Sequence, residues 1–131
     1  MSKIEEIYLA NGLKLNVFDL SRQIADDTVK VEISIQTEID LEKSYFSCPQ
    51  DYNCVKSIFG DKLTYEHKME KSFVFLENQE SVREELINTF KNNSLNYLAS
   101  ENFPLKLALS RLKDIKNNPY KYNKIKRKLE T

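Results

Sequence analysis

The residues whose types could support catalysis are two cysteines and the only histidine of the chain, Cys48, Cys54 and His67. A histidine beside a thiol can act as a general base for a cysteine nucleophile, and thiolates with imidazole are also zinc ligands. However, a zinc site needs three or four converging ligands, and Cys-x5-Cys with one histidine is not a common zinc spacing. We therefore expect neither a metal nor a cofactor, and a small enzyme with a site near His67 is our third functional hypothesis.

The two cysteines could also form a disulfide, which is sterically possible at this spacing. The N-terminus, MSKIEEIYLANG, has no apolar run of signal-peptide length, and no apolar stretch of the chain is long enough to span a membrane. We therefore predict a cytoplasmic protein that is not bound to a membrane. In that compartment the thiols are expected to be reduced.

Positive charge is concentrated in the last quarter of the chain. Residues 103–131 carry nine basic and two acidic side chains, whereas residues 1–43 have a net charge of −4 and residues 44–102 of −3. Cations interleaved with tyrosines can bind phosphates and stack on bases, so nucleic-acid binding is the second hypothesis. The same cations could instead favour a helix C-terminus or lie against acidic residues of the same chain. The candidate residues are Lys113, Lys116, Tyr120, Lys121, Tyr122, Lys124, Lys126, Arg127 and Lys128.

These residues must be positioned by a fold that is organised around one strand, Thr28 to Glu42. Apolar and polar side chains alternate along it with a period of two, which only a β-strand with one buried face converts into a burial pattern. We expect the other face to be exposed to water. The side chains predicted to be buried are Val29, Val31, Ile33, Ile35, Thr37, Ile39 and Leu41.

A second long alternation runs from Leu63 to Phe75 and is the natural antiparallel partner of that strand. Thirteen residues span about 44 Å, more than the roughly 36 Å diameter of a compact domain of this length. The pair should therefore curl or project, and a projecting pair offers an interface for a second copy of the chain. The side predicted to be apolar contains Leu63, Tyr65, His67, Met69, Lys71, Phe73 and Phe75.

The first hairpin, Ile4 to Val17, turns at Ala10-Asn11-Gly12. A two-residue turn would place the apolar side chains on both faces, whereas a three-residue loop pairs Ile7 with Leu15 and keeps them on one face. We favour the three-residue loop, with Gly12 in the left-handed region as a bulge. Residues 18–27 leave two alternatives open, a short helical turn or a continuation of the second strand.

Four further segments have helical signals. Tyr52 to Phe59 has helical spacing with Gly60 as a stop, and Ser81-x-x-Glu84 is a capping box that should open a helix. That helix is our candidate for the cover on the sheet, although Asn92-Asn93-Ser94 weakens its middle. Apolar stripes follow at Leu105, Ala108, Leu109, Leu112 and Ile115, and at Tyr122, Ile125 and Leu129 after the Asn118-Pro119 start signal.

Together these patterns predict an α+β protein. The expected fold is one domain over residues 1–131, with an antiparallel sheet of about four strands in two hairpins, a short helical insert near 50–59, and helices after residue 80 that cover the sheet. Long strand edges and an over-long hairpin favour a binding function over catalysis. The first hypothesis is therefore a protein-interaction module whose partner is a second copy or another protein.

Overall fold

The computed structural model describes residues 2–122 of the chain. Over these residues it has an antiparallel sheet of five strands, three α-helices of 11 to 20 residues and a further helical turn at 119–122, so the predicted α+β class is confirmed. No helix in this range combines the length and apolar character needed to span a membrane. In chain order the elements are β1 (Ser2–Tyr8), β2 (Lys14–Asp19), β3 (Arg22–Ala25), β4 (Thr28–Asp40), α1 (Pro49–Phe59), β5 (Lys62–Phe75), α2 (Gln79–Leu98) and α3 (Phe103–Asn117).

The β1–β2 hairpin has the predicted register. Ile7 pairs with Leu15, the Leu9 amide donates to the Leu13 carbonyl at 2.8 Å, and Gly12 has a φ of 89°. This three-residue loop places the apolar side chains of the hairpin on one face, which is the physical reason for the register. The side chain of Asn11 then ties the loop to the end of α2 by donating to the Leu98 carbonyl at 2.7 Å.

The ambiguity over residues 18–27 is resolved in favour of a continued strand. Asp19 pairs with Ile33 in β4, and Arg22 pairs with Lys30, so β3 resumes the register of β2 after a short interruption. The Ser21 hydroxyl accepts a hydrogen bond from the Glu32 amide at 3.1 Å within that gap. Strand β3, the one strand more than the four predicted, is therefore the continuation of β2.

Strand β4 buries the side chains that alternation predicts. All seven odd positions from Val29 to Leu41 are buried, in agreement with the period of two. The opposite face is less exposed to solvent than expected, because Ser34 is completely buried. Its hydroxyl donates to the Glu66 carboxylate at 2.7 Å and accepts from the Gln36 amide at 3.0 Å.

Strand β5 follows the predicted alternation only in its first part. Glu66 and Glu70 contact Ser34 and Lys30 on the polar face of β4, so even positions face that side up to Glu70. Val74 is also even, but it packs into the apolar cluster on the other face. The alternation therefore shifts between them, and Phe73, with a φ of 59°, is the residue whose backbone departs from strand geometry. The prediction that Phe73 and Phe75 lie on the buried side is wrong.

The chain divides into two compact units, with β4 and β5 contributing to both. The first unit contains the residues up to Thr37 together with Tyr65–Ser100. The apolar cluster of this unit confirms that α2 covers the sheet. Val82 and Leu86 of α2 pack against three buried valines of the strands, Val29, Val31 and Val74. The prediction of one domain over residues 1–131 stays a prediction, to be tested by whether the two units unfold together.

Helix α2 departs from its predicted limits. It begins at Gln79, before the capping box, and the Ser81 hydroxyl donates to the Asn78 carbonyl at 3.0 Å instead of capping the helix. It also continues through the Asn92-Asn93-Ser94 stretch to Leu98. The capping-box prediction was wrong because a 3₁₀ turn at Leu76–Asn78 leads directly into the helix and displaces its start.

The second unit contains Glu38–Thr64 and the residues from Glu101 onward. The predicted helix near 50–59 is present as α1, and α3 also forms as predicted. The buried stripe of α3 is rotated relative to the prediction, because Leu107 is buried and Leu109 is 42% exposed. Residues 119–122 are helical after Asn118, and the remainder of the predicted last helix lies outside the described residues.

Candidate functional site

The cysteines and the histidine belong to different parts of the molecule. Cys48 precedes the first turn of α1 and Cys54 lies within that helix in the second unit, and both thiols are free. His67 is exposed on β5 in the first unit, with its ring centroid 5.5 Å from that of Phe90. Within residues 2–122, no group of three histidine, cysteine or carboxylate side chains could hold a metal ion.

Cys48 borders a cleft of about 380 Å³ in the second unit. A nucleophilic thiol needs a base within hydrogen-bond reach. The other residues that line this cleft include neither an imidazole nor a carboxylate: Lys43, Phe46, Ser47, Pro49, Tyr52 and Asn53. The described lining therefore does not assemble a thiol–base pair at Cys48.

Part of the basic candidate set is engaged within the second unit. Lys116 lies 3.6 Å from the Asp51 carboxylate, and Lys121 lies 3.8 Å from that of Asp114. Tyr122 is only 6% exposed and donates its hydroxyl to Asp114, so its ring contributes to packing and is not available to stack on a base.

The hydrogen bond from Tyr122, followed by the nearby Lys121 charge, lowers the pKa of the Asp114 carboxyl. Lys113 and Tyr120 are exposed, the latter at 88%. The remaining members of the set lie outside the described residues: Lys124, Lys126, Arg127 and Lys128. Among the described members of the set, Lys116 and Lys121 therefore lie in ion pairs and Tyr122 is buried, and nucleic-acid binding stays a prediction.

A different surface stands out at the end of β5. Phe73 is 81% exposed, Phe75 58% and Leu76 50%. Val74, between the two phenylalanines, is buried against Val29 and Val31. Because neighbouring side chains of an extended chain point to opposite faces, the inward direction of Val74 accounts for the exposure of Phe75. We call Phe73, Phe75 and Leu76 the apolar surface.

The backbone that presents this surface is strained. A φ of 59° at Phe73 lies in the left-handed region, where a bulky side chain is a genuine outlier. Holding a non-glycine residue there costs about 1–3 kcal/mol, and such strain clusters at functional sites. Since only the two glycines share a positive φ among residues 2–122, Phe73 occupies a conformation that the chain elsewhere gives to glycine.

A cleft of about 600 Å³ adjoins the apolar surface, lined by Asp26, Asp27, Phe75, Leu76 and Glu77. The turn between β3 and β4 supplies the two aspartates. The Leu76 amide donates to the Asp27 carbonyl at 2.9 Å, which fixes the turn against the end of β5. The lining of this cleft therefore combines two apolar side chains with three carboxylates.

The edge of this cleft is acidic, and we call Asp26, Asp27 and Glu77 the acidic rim. All three are exposed. Among the described residues, no lysine or arginine lies within ion-pair distance of these carboxylates. Asp27 accepts a hydrogen bond from the Thr28 hydroxyl at 3.0 Å, so one rim carboxylate is partly held in place.

The sequence carried one signal for this surface. Phe73-Val74-Phe75-Leu76 is a run of four apolar residues that ends a strand with otherwise regular alternation. Such a run cannot place every side chain on one buried face, so at least one large residue must be exposed. The identity of that residue depended on where the alternation shifted.

Comparison with protein-family models, with curated proteins and with solved structures returned no match to this chain.

Proposed function

We propose that this protein is a binding module that engages a protein partner through the apolar surface of Phe73, Phe75 and Leu76. The observation that carries the proposal is the exposure of two phenylalanines and a leucine beside an open cleft. Exposed single apolar residues are common, but neighbouring large ones next to a concave feature are typical of interaction sites.

The energetic argument concerns what these side chains gain on binding. A buried aromatic side chain removes about 150–250 Å² from water, at about 25 cal/mol per Å² of apolar surface. Aromatic residues at the centre of an interface commonly dominate its binding energy. The apolar surface therefore provides the anchors of an interface.

The strain at Phe73 supports the same function. Glycine would adopt its left-handed conformation at lower cost, and the exposed ring makes few contacts that repay the strain in the free protein. A side chain that costs stability and gains little packing is accounted for by a contact made in a complex.

The test is photo-crosslinking from the surface in a lysate of cells that make the protein, to which purified competitors can be added. A photoreactive phenylalanine analogue replaces Phe75 and, in a matched control, Tyr8, which is 74% exposed on β1 and does not line the cleft. We expect one reproducible protein adduct from position 75 and not from position 8. Excess purified wild-type protein should suppress the adduct, whereas excess Phe73→Gly/Phe75→Ser protein should not.

The competitor must be folded for this comparison to count. Both substituted side chains are mostly exposed, so the double variant should melt close to the wild type. Equal competition by the wild type and the folded double variant would overturn the proposed function.

A further inference from the structure

We infer that the partner presents a basic, amphipathic segment to the apolar surface, with its apolar side chains on Phe75 and Leu76 and its cations on the acidic rim. This inference rests on the proposed function and names the chemistry of the partner. Asp26, Asp27 and Glu77 line the cleft together with the apolar residues. A ligand that fills the cleft must therefore lie next to carboxylates.

The charge of the rim selects the sign of that ligand. No described cation lies within ion-pair distance of its three carboxylates, and Arg83 lines the neighbouring cleft with Glu77 but not this one. A partner that brought further acidic groups to Asp26 and Asp27 would therefore meet like charge. Like-charge juxtaposition suppresses wrong partners, and complementary charge speeds association. Lysine or arginine side chains flanking an apolar anchor match both parts of the site.

The same argument disfavours a second copy of this chain bound symmetrically through the site. A two-fold interface apposes the same patch of both subunits. The acidic rim would then face itself, with Asp26, Asp27 and Glu77 of each copy near the same three of the other. The homodimer expected from the long strand pair should therefore use another surface.

The mode of recognition follows from the shape. Amphipathic segments dock their apolar face in a groove with anchors at helical spacing, and flanking polar residues contact the groove edge. The open cleft has its apolar side at the end of β5 and its aspartates on the β3–β4 turn. Apolar anchors with lysines beside them would contact both sides at once.

The experiment uses three short fluorescent peptides that share the same leucine and phenylalanine positions. Their flanking residues are all lysine, all glutamine or all glutamate. Binding to the full chain is measured by fluorescence anisotropy at about 50 mM and about 500 mM salt, a range over which exposed ion pairs are progressively screened. We expect the lysine peptide to bind most tightly and the glutamate peptide most weakly, with the difference reduced at high salt.

Variants assign the preference to the site. Asp26→Asn/Asp27→Asn should lower the affinity for the lysine peptide roughly two- to fivefold for each carboxylate removed, as expected for exposed ion pairs. The charge-matched control is Glu84→Gln/Glu85→Gln, since both residues are exposed on α2 and neither lines the cleft. It should leave the affinity unchanged.

Substitutions of the apolar surface separate this inference from the proposed function. If Phe73→Gly/Phe75→Ser abolishes binding of all three peptides while their affinities are equal in the wild type, the inference is wrong and the apolar site stands. If the wild type forms a two-fold dimer that Phe75→Ser dissociates, the inference of a basic partner is likewise wrong and the apolar site stands. If the lysine peptide binds the double variant as well as the wild type, both proposals are overturned.

Discussion

Thr37 shows how a single buried atom affects this protein. The residue is 1% exposed on the core side of β4, and its hydroxyl oxygen has no hydrogen-bond partner among the described residues. Leaving a buried polar group unpaired costs about 1–3 kcal/mol. Thr37→Val removes that group at nearly constant shape, so we expect the free energy of unfolding to rise by about 1 kcal/mol, measured by urea denaturation.

Ser34 provides the control for this prediction. It is equally buried three residues earlier in β4, but its hydroxyl donates to Glu66 and accepts from Gln36. Ser34→Ala should therefore lower stability by about 1 kcal/mol or more, because it leaves its partners without a hydrogen bond. A loss of stability in Thr37→Val would contradict the assignment of Thr37 as an unpaired group.

Asp19 makes a pH-dependent contribution at the interruption between β2 and β3. Burial raises the pKa of its carboxyl, but hydrogen bonds from Ser21 and the charge of Arg83, 3.4 Å away, more than offset this, so the pKa is lowered from 3.8. A carboxyl whose pKa is lower in the folded than in the unfolded protein stabilises the fold at pH values above its unfolded-state pKa. That stabilisation is lost as the pH falls through the folded-state pKa.

Asp19→Asn should therefore be less stable than the wild type at neutral pH. The difference should shrink as the pH falls below about 3.8, the unfolded-state value. Urea denaturation of both proteins across that range measures it. A stability difference that stays constant through this range would contradict the role of the ionised carboxylate.

At the scale of the element, β4 is the strand on which the core depends. Ile33 is completely buried on its apolar face, and Glu38 is exposed on the opposite one. An unpaired charge in the core costs several kcal/mol, a large share of the ~5–15 kcal/mol by which proteins are stable. Ile33→Asp should unfold the protein at room temperature, whereas Glu38→Ser should barely change the melting temperature by circular dichroism. Equal melting of the two variants would contradict the assignment of the faces.

At the end of β5, in contrast to β4, we expect replacement of a large apolar residue to leave the protein stable. Phe73→Gly relieves a left-handed backbone and removes a ring that is 81% exposed. Glycine also raises the entropy of the unfolded chain, which offsets part of the gain. We expect the free energy of unfolding to be unchanged or raised by up to about 1 kcal/mol, measured by urea denaturation.

The matched variant is Phe73→Val, because a β-branched side chain is least compatible with a positive φ. It should be less stable than the wild type. A Phe73→Gly variant less stable than Phe73→Val would contradict the assignment of backbone strain at this position.

At the scale of the whole molecule, the basic C-terminal region has both a structural and a charge contribution. Truncation after Asn118 removes the ring of Tyr122, which lies 5.8 Å from the Phe59 ring, centroid to centroid, and its hydrogen bond to Asp114. Loss of a buried aromatic contact should lower the melting temperature. We expect the intact protein to bind mixed single-stranded oligonucleotides weakly and the truncated protein to bind them no worse.

The measurement is fluorescence anisotropy with labelled oligonucleotides at physiological salt. The control variant is Tyr122→Phe, which keeps the ring and all the basic residues and loses only the hydroxyl. Tight binding by the intact protein that the truncation abolishes would favour nucleic-acid binding over the proposed function.

Much of the fold could be predicted because the signals are local. Whether Ile7 pairs with Leu15 follows from which register keeps apolar side chains on one face, and a glycine at the loop permits it. The α2 boundary was mispredicted because a preceding 3₁₀ turn, and not the Ser81 capping box, determines where the helix begins. The residues chosen by their chemical type are distributed over both units, since residue type alone does not determine where a side chain lies.

The sequence by itself determined most of the secondary structure and the buried face of β4, because a period of two or of about four specifies burial along one element. Only the tertiary structure decided the candidate site. The shift of alternation at Phe73 depends on packing Val74 against Val29 and Val31, which lie more than 40 residues earlier. The acidic rim depends on the β3–β4 turn meeting the end of β5 through the Asp27–Leu76 hydrogen bond. Both require distant segments to meet, and no local pattern encodes where they do.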